Sequence, residues 1–500
     1  MLIRPTIEEL KTIGNFLGWI AILLSAVVFL SAGVSLLAGE NVFALRLGGG
    51  AVQILFIGLL VITFFDTEGN LSLSGSLALA AGIWVWATGL IALVYLQTGH
   101  FLSFTDACFD ALSGFTTTGL ALIQDMDHAS EGLQFLRHLL TFIGGQGIIA
   151  LYLAILAKNS PVFFTLYVGE GKDERLWPNV LHTARTIWKI SMVFLVAGTA
   201  LIAPGLWAIG LSPWRAFFDA LYLFEGAWST GGFAPHSQSL LYYHSPLIDG
   251  ITTVIFVIGS FNFFIHYQIF TGKLSELWQN SEIRSFIITV TALTLFAVVI
   301  CARAGVYPTT GLAIKRVVYQ MVSAHTTTGH MNVYARQFIN DWPLPAVLAV
   351  IVAMSIGGSA CSTAGGIKGI RMALMWKALV YDIKKILLPS SAITVVRYYH
   401  GQNRLISPQI AYRAFLLGII FVAMYGFTSL AGVLAGYPLL DSVFEGVSAG
   451  SNSGLSCGIT AASMPLGLKW TYIVAMWLGR LEFLAAFVLG GYIWKWVFGK

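Results

Sequence analysis

The sequence predicts an all-α polytopic membrane protein: four pseudo-symmetric helix–pore-helix–filter–helix repeats around one pore, preceded by two extra N-terminal helices. Three observations predict it: apolar runs of membrane-span length, a scarcity of charge, and a polar glycine-containing tract that occurs four times. Of the 500 residues 57% are hydrophobic and 10% charged. A soluble domain carries roughly 25% charged residues, so this chain has too few to cover a surface facing water. Apolar runs recur from Leu17–Ala38 through Ala346–Ile356 to Tyr472–Val488. A helix crossing about 30 Å of hydrocarbon needs about 20 such residues, and many of the runs reach that length. The first stretch, Phe16–Leu37, has no A-x-A-like cleavage site near its end, which predicts a retained helix rather than a signal peptide.

Self-similarity orders the elements. Residues 1–70 hold the two extra helices, near 14–38 and 48–65. In the first repeat (71–160) the short segment SFTDACFDALSG, Ser103–Gly114, leads into FTTTGL, Phe115–Leu120. The second (161–275) has PWRAFFDALYLFEG, Pro213–Gly226, followed by WSTGGF, Trp228–Phe233. In the third (276–395) IKRVVYQMVSA precedes HTTTGH, His325–His330, and in the fourth (396–500) LLDSVFEGVSAG precedes SNSGLS, Ser451–Ser456. At 1.5 Å per residue these short segments, about 11–14 residues each, cannot cross a bilayer, so each enters and stops. Non-helical backbone at that depth survives only where it lines a watery cavity. Four such tracts therefore imply one pore. Long helices are expected near 76–97, 134–157, 183–209, 247–270, 283–304, 343–387, 408–436 and 467–498. The segment 343–387 exceeds one span and contains GGSACSTAGG, Gly357–Gly366, where a straight helix is disfavoured and a break is expected.

Charge sets the expected orientation. Nineteen Lys and Arg residues fall on the side that holds the N-terminus and eight on the other. Both termini are then cytoplasmic, and the short helices enter from outside. The loop Asp66–Ser74 contributes no positive charge. The net charge of +5 is spread over loops between spans and does not suggest a nucleic-acid partner. Cys108, Cys301, Cys361 and Cys457 lack paired spacing and read as small buried hydrophobes.

A half-helix that enters from outside directs its C-terminal partial negative charge at the membrane centre, which favours a dehydrated cation. The following tract can then turn carbonyls inward, with glycine permitting the dihedrals and hydroxyls bracing the turn. The expected ion ligands are Thr116, Thr117, Thr118 and Gly119; Ser229, Thr230 and Gly231; Thr326, Thr327, Thr328 and Gly329; and Asn452, Ser453 and Gly454. No acidic ring appears in the tracts, and neutral oxygens suit a monovalent ion better than Ca²⁺ or Mg²⁺. One T-T-T-G taken alone is equally a helix C-terminal glycine cap. Asp106, Asp110, Asp219, Glu225, Asp441 and Glu445 lie on the half-helices, either as helix-start acids or as groups that hold the tracts or attract cations. Arg480, within MWLGRLEFLAAF, is either a positive charge in the permeation path or the partner of a carboxylate on a neighbouring helix.

SFTDACFDALSGFTTTG, GGQGIIALYLAIL (144–156), GGSACSTAGGIKGIR (357–371) and LGRLEF (478–483) together resemble the TrkH/TrkG/KtrB superfamily of potassium uptake proteins, and the two extra helices resemble its TrkH branch. The resemblance covers essentially the whole chain. It implies K⁺ as the transported ion, one glycine per filter, a homodimer in membrane lipid, and a cytosolic nucleotide-binding regulatory subunit of the TrkA type. It also implies a multi-pass protein of the bacterial cell inner membrane, a gating loop at Gly357, Gly358, Gly365 and Gly366, and Arg480 below the filter. His325 and His330 around the third tract, Trp228 before the second, and SNSGLS in the fourth depart from the family pattern.

A membrane potential of 100 mV is worth about 2.3 kcal/mol per charge, enough to accumulate K⁺ without ATP in this chain. No G-x-x-x-x-G-K-[ST] loop is present, so a nucleotide effect would come from a partner. A proton- or sodium-coupled K⁺ symporter on the same scaffold is the alternative. An enzyme is not expected, because no convergent His/Asp or Ser/His motif is found.

Overall fold

Hydrocarbon offers the backbone no water to bond, so apolar runs close their hydrogen bonds within helices. A computed structural model describes residues 5–67, 69, 71–123, 125–155, 166, 179–389, 395–399 and 402–499. Among these, six helices are long and apolar enough to cross a membrane: Ile7–Leu37, Asn41–Phe64, Leu73–Thr98, Val180–Ala208, Ser281–Arg303 and Pro408–Leu434. The first two pack together where Gly18 and Gly58 face each other; an added Cβ on Gly58 would lie 3.0 Å from the Gly18 carbonyl oxygen. Small residues permit that approach between helices in lipid. The other four are the outer helices of the four repeats.

Each outer helix leads into a short pore helix: Phe104–Phe115, Pro213–Trp228, Thr310–His325 and Leu439–Gly450. Three of them start at a hydroxyl cap. Ser103 accepts from the Asp106 amide (3.1 Å), Ser212 from Arg215 (3.3 Å) and Thr309 from Leu312 (3.2 Å). The fourth begins after Pro438 with Asp441 in its first turn.

An inner helix follows each tract, and every one is broken. The expected break at 357–366 is present between Leu344–Ser355 and Gly369–Leu387, with Ile356 and Ile367 paired as an isolated parallel bridge. The other three were expected as continuous helices at 134–157, 247–270 and 467–498. Instead Glu131–Gln146 turns through 82° into Ile148–Ile155, Pro246–Gly259 through 101° into Phe263–Phe270, and Leu466–Arg480 through 111° into Leu484–Phe498. Local chemistry explains the bends. Gly147 takes φ +100°, the Asn262 side chain caps Phe264 at 2.8 Å, and Glu482 and Phe483 both take positive φ. Among the described residues the chain also departs from all-helix structure in a small antiparallel hairpin, Arg397–Tyr399 with Asn403–Leu405. The boundary expected at 160/161 and the basic residues Lys158, Lys172 and Arg175 lie outside the described residues. All four cysteines are buried.

The inner helices of three repeats cross the ends of their pore helices at a glycine. An added Cβ would strike the Phe115 carbonyl from Gly144, the Trp228 carbonyl from Gly259 and the Gly450 carbonyl from Gly479. Gly82 and Gly89, in the first outer helix, face open space. Gly144→Ala and Gly479→Ala should each destabilise the protein by about 1–3 kcal/mol. Gly82→Ala and Gly89→Ala should be neutral or stabilise by roughly 0.5–1 kcal/mol. Thermal unfolding of the detergent-purified variants separates the two groups; equal midpoints would reject the close-packing assignment.

Candidate ion pathway

The four tracts repeat one backbone path. At the end of each pore helix an amide reaches back five residues: Thr118 to the Ser113 carbonyl (2.9 Å), Gly231 to Gly226 (2.8 Å), Thr328 to Ser323 (2.8 Å) and Ser453 to Ser448 (2.9 Å). This bond closes a helix C-terminus when the residue before the donor is left-handed. That residue is Thr117, Thr230, Thr327 or Asn452, with φ between +48° and +55°. The cap is therefore not the glycine. A second left-handed residue follows two positions later, and in all four tracts it is glycine: Gly119 (φ +87°), Gly232 (+66°), Gly329 (+84°) and Gly454 (+76°).

The second tract corrects the expected register. Gly231 occupies the position of Thr118, Thr328 and Ser453, and Gly232 is the counterpart of the other three glycines. The signal was the doubled glycine in STGGF, where only the second residue needs positive φ.

These glycines meet their neighbours' carbonyls. An added Cβ would strike Gly231 O from Gly119, Thr328 O from Gly232, Ser453 O from Gly329 and Thr118 O from Gly454. The contacts run in one direction and close on themselves. The four oxygens come from equivalent positions, so a ring of carbonyl groups surrounds one axis. Thr116, Ser229, Thr326 and Ser451 end the pore helices, and the first three turn a hydroxyl back onto the helix: Thr116 onto Leu112 O (2.7 Å), Ser229 onto Glu225 O, and Thr326 onto Val322 O (2.8 Å). These hydroxyls brace the turn.

The loop 357–366 lies against all four caps. The Thr363 hydroxyl reaches Thr230 Oγ1 (3.0 Å), Trp228 O (3.2 Å) and Gly259 O (3.0 Å), and the Thr363 carbonyl accepts from Thr117 Oγ1 (3.3 Å). The Gly365 amide donates to Thr327 Oγ1 at 2.7 Å, and a Cβ on Gly365 would meet Ser451 O and Asn452. Gly357 and Gly366 close the loop's neck: a Cβ on Gly357 would strike Gly365 O, and Gly366 takes φ +66°. Gly358 packs on Ser260, whose carbonyl accepts from the Ser359 amide (2.9 Å).

Arg480 joins the loop to the first repeat. Nη1 donates to Thr363 O (2.5 Å) and Thr117 Oγ1 (3.3 Å); Nη2 donates to Gly144 O (2.7 Å) and Gly145 O (3.3 Å). Glu482, two residues on, binds Arg371 at the start of the helix after the loop. Thr363, which sequence reasoning did not single out, is the residue on which these contacts converge.

A family model described as cation transport protein, TrkH, matches residues 48–491. The chain belongs to the TrkH family. It is 30% identical over 97% of its length to an uncharacterized cation transporter of Methanocaldococcus jannaschii, covering 96% of that protein. It is 27% identical over 92% of its length to the Trk system potassium uptake protein TrkH of Salmonella typhimurium, covering 96% of it. Its fold matches the crystal structure of the potassium transporter TrkH from Vibrio parahaemolyticus with a TM-score of 0.80 and 25% identity, over 96% of this chain and 98% of that one.

In this TrkH-family chain Asp110, Glu445 and Asp219 hold structure, whereas Glu225 is buried with its Oε2 unpaired. Asp110 binds Arg137 through both oxygens (2.7 and 2.9 Å), deep behind the first tract. Glu445 accepts from the Cys457 amide (2.8 Å), the Thr460 amide (2.9 Å) and Ser456 Oγ (2.8 Å), fixing the chain beyond the fourth tract. Asp219 binds Arg215, His236 and Tyr243. His236 also reaches Asp127 in the loop beyond the first tract (2.6 Å). Partial burial works against the charged form of Asp127, but hydrogen bonds from His236 and Ser237 outweigh it and hold the carboxyl below its ordinary value. The departures from the family pattern are packed features. His325 meets Thr289 Oγ1 (2.7 Å), His330 donates to Phe233 O (3.1 Å), and Trp228 stacks on Phe194.

The corrected register is testable at neighbouring positions. A side chain at Gly232 meets both a left-handed backbone, a cost of about 1–2 kcal/mol, and the Thr328 carbonyl. At Gly231 the backbone is not left-handed, and the side chain meets chiefly the Thr141 methyl, with Ser229 Oγ and Thr117 Cα farther off. Gly232→Ser should therefore lower the K⁺/Na⁺ flux ratio of reconstituted protein more than Gly231→Ser. The reverse order would restore the register read from the sequence.

Proposed function

We propose that the chain takes up K⁺ across the cell membrane through a channel-like pore in which the four tracts form a backbone-carbonyl selectivity filter. The closed ring of Thr118, Gly231, Thr328 and Ser453 carbonyls, at the C-terminal ends of four half-helices, carries this reading. Helix ends and carbonyl dipoles replace a cation's water shell without a fixed carboxylate. Thr116–Gly119, Ser229–Gly232, Thr326–Gly329 and Asn452–Gly454 are the proposed ion-contacting tracts, and the names of the Trk relatives support K⁺ as cargo. Four pore repeats, within 71–160, 161–275, 276–395 and 396–500, then surround the axis.

The distribution of Lys and Arg supports cytoplasmic termini and pore helices that enter from outside, in a bacterial cell inner membrane. The gate is the loop holding Gly357, Gly358, Gly365 and Gly366, latched by Arg480. A homodimer and a cytosolic nucleotide-binding subunit of the TrkA type complete the working assembly. Uptake runs down the electrical gradient, with about 2.3 kcal/mol per charge available at 100 mV.

Purified protein in liposomes should pass K⁺ and Rb⁺ well, Na⁺ poorly and choline not at all; choline entry equal to K⁺ rules out a selective pore. Arg480 gives a second test. A guanidinium keeps its charge at every accessible pH, and at an effective dielectric of about 20 it repels a cation 6 Å away by roughly 3 kcal/mol. Arg480→Gln should raise K⁺ flux, and Arg480→Lys should change it less. A stable Arg480→Gln protein with wild-type flux removes Arg480 from the gate.

A further inference from the structure

Four ion pairs stand at the face where the pore helices begin, and each joins two neighbouring repeats. Glu131, the first residue of the first inner helix, binds Arg215 of the second pore helix at 2.9 Å. Asp249 of the second inner helix faces Lys315 of the third pore helix at 3.4 Å. Arg336, after the third tract, faces Asp441 of the fourth pore helix at 3.6 Å. Lys469 of the fourth inner helix binds Asp106 of the first pore helix at 2.6 Å. Every pair links the segment after one tract to the next pore helix, in the same direction around the axis, and the fourth returns to the first.

We propose that these pairs form a closed ring that holds the four tracts in register, with Asp106 and Lys469 as the positioning residues that lock its one seam lacking a covalent link. The chain itself connects the first repeat to the second, the second to the third and the third to the fourth. Nothing covalent connects the fourth to the first. At that seam the pair is the shortest of the four, and both side chains are more than nine-tenths buried. Lys469 Nζ also donates to Ala462 O at 2.7 Å. The tracts are tied there as well, by Asn452 Nδ2 donating to Thr118 Oγ1 at 2.9 Å. By contrast Arg336 is 61% exposed and its pair is the longest, at a seam the chain already spans. Exposed pairs contribute little, whereas removing one member of a desolvated pair strands a charge. Asp106 sits in the first turn of the helix that delivers Thr118, so loosening it shifts the Thr118 carbonyl against Gly454.

The inference rests on the filter reading above. The test measures K⁺/Na⁺ flux ratios in liposomes and thermal midpoints for Asp106→Asn, the exchange Asp106→Lys with Lys469→Asp, and Arg336→Gln, with Gly119→Ser as reference. Asp106→Asn should lower the ratio about tenfold, the equivalent of ~1.4 kcal/mol of discrimination, and the exchange should recover most of it. Arg336→Gln should move it less than about twofold. A lowered midpoint with an unchanged ratio in Asp106→Asn overturns the positioning role, as does an Arg336→Gln loss as large as that of Asp106→Asn. If Asp106→Asn does not fold, the exchange decides: a folded exchange protein near the wild-type ratio supports the ring, and a tenfold loss overturns it. Should the seam variants leave the ratio intact while Gly119→Ser collapses it, the ring alone fails. If Gly119→Ser also leaves it intact, the filter reading fails with it.

Discussion

The structure depends on how each pore helix ends. The amide of Thr118, or its counterpart, bonds a carbonyl five residues back, and this bond turns the chain through two left-handed residues within membrane depth. Carbonyls released by such a turn have no water to accept from, so they must point at something polar or line a wet axis. The geometry then dictates small residues at fixed places. Gly119, Gly232, Gly329 and Gly454 let each tract lean on the next, and Gly144, Gly259 and Gly479 let the inner helices lie against the pore-helix ends. A methyl group at any of these seven places would press on a backbone oxygen.

Charge within the membrane is confined to a few sites around this arrangement. Arg137 and Asp110 neutralise each other behind the first tract. Beneath the tracts, Lys368 donates to Ala364 O, Arg371 binds Glu482, and Glu282 accepts from the Ala360 (2.6 Å) and Ile370 (3.2 Å) amides. These contacts, together with those of Arg480, clamp the loop at both its ends and its middle. Because Thr363 and Gly365 touch the left-handed cap of every repeat, the loop cannot withdraw from one tract without withdrawing from all four.

Sequence pattern exposed the four-fold plan because each half-helix combines a length too short to span with a polar glycine tract, a pairing that soluble helices have no reason to repeat. The third inner helix declared its break through six residues of Gly and Ser between 357 and 366. Three other breaks were hidden. Gly147, Asn262 and the Glu482–Phe483 pair each interrupt an otherwise apolar helix with a single local feature, and hydropathy averages over it. The register of the second tract was hidden for a related reason: two adjacent glycines look alike in sequence, and only φ separates Gly231 from Gly232. Inter-repeat partners such as Asp106 and Lys469 are 363 residues apart, a distance at which no periodicity speaks.

Carrying all four quadrants on one chain has a consequence for assembly. A ring made of four separate subunits dissolves on dilution, and any substitution appears in it four times. Here the stoichiometry is intramolecular, so the axis forms at any protein concentration, and each quadrant can drift alone. His330 stands where the other quadrants carry Leu120, Phe233 and Leu455, Trp228 where they carry Phe115, His325 and Gly450, and Asn452 where they carry Thr117, Thr230 and Thr327. The backbone path keeps its symmetry while the side chains packed behind it have become individual.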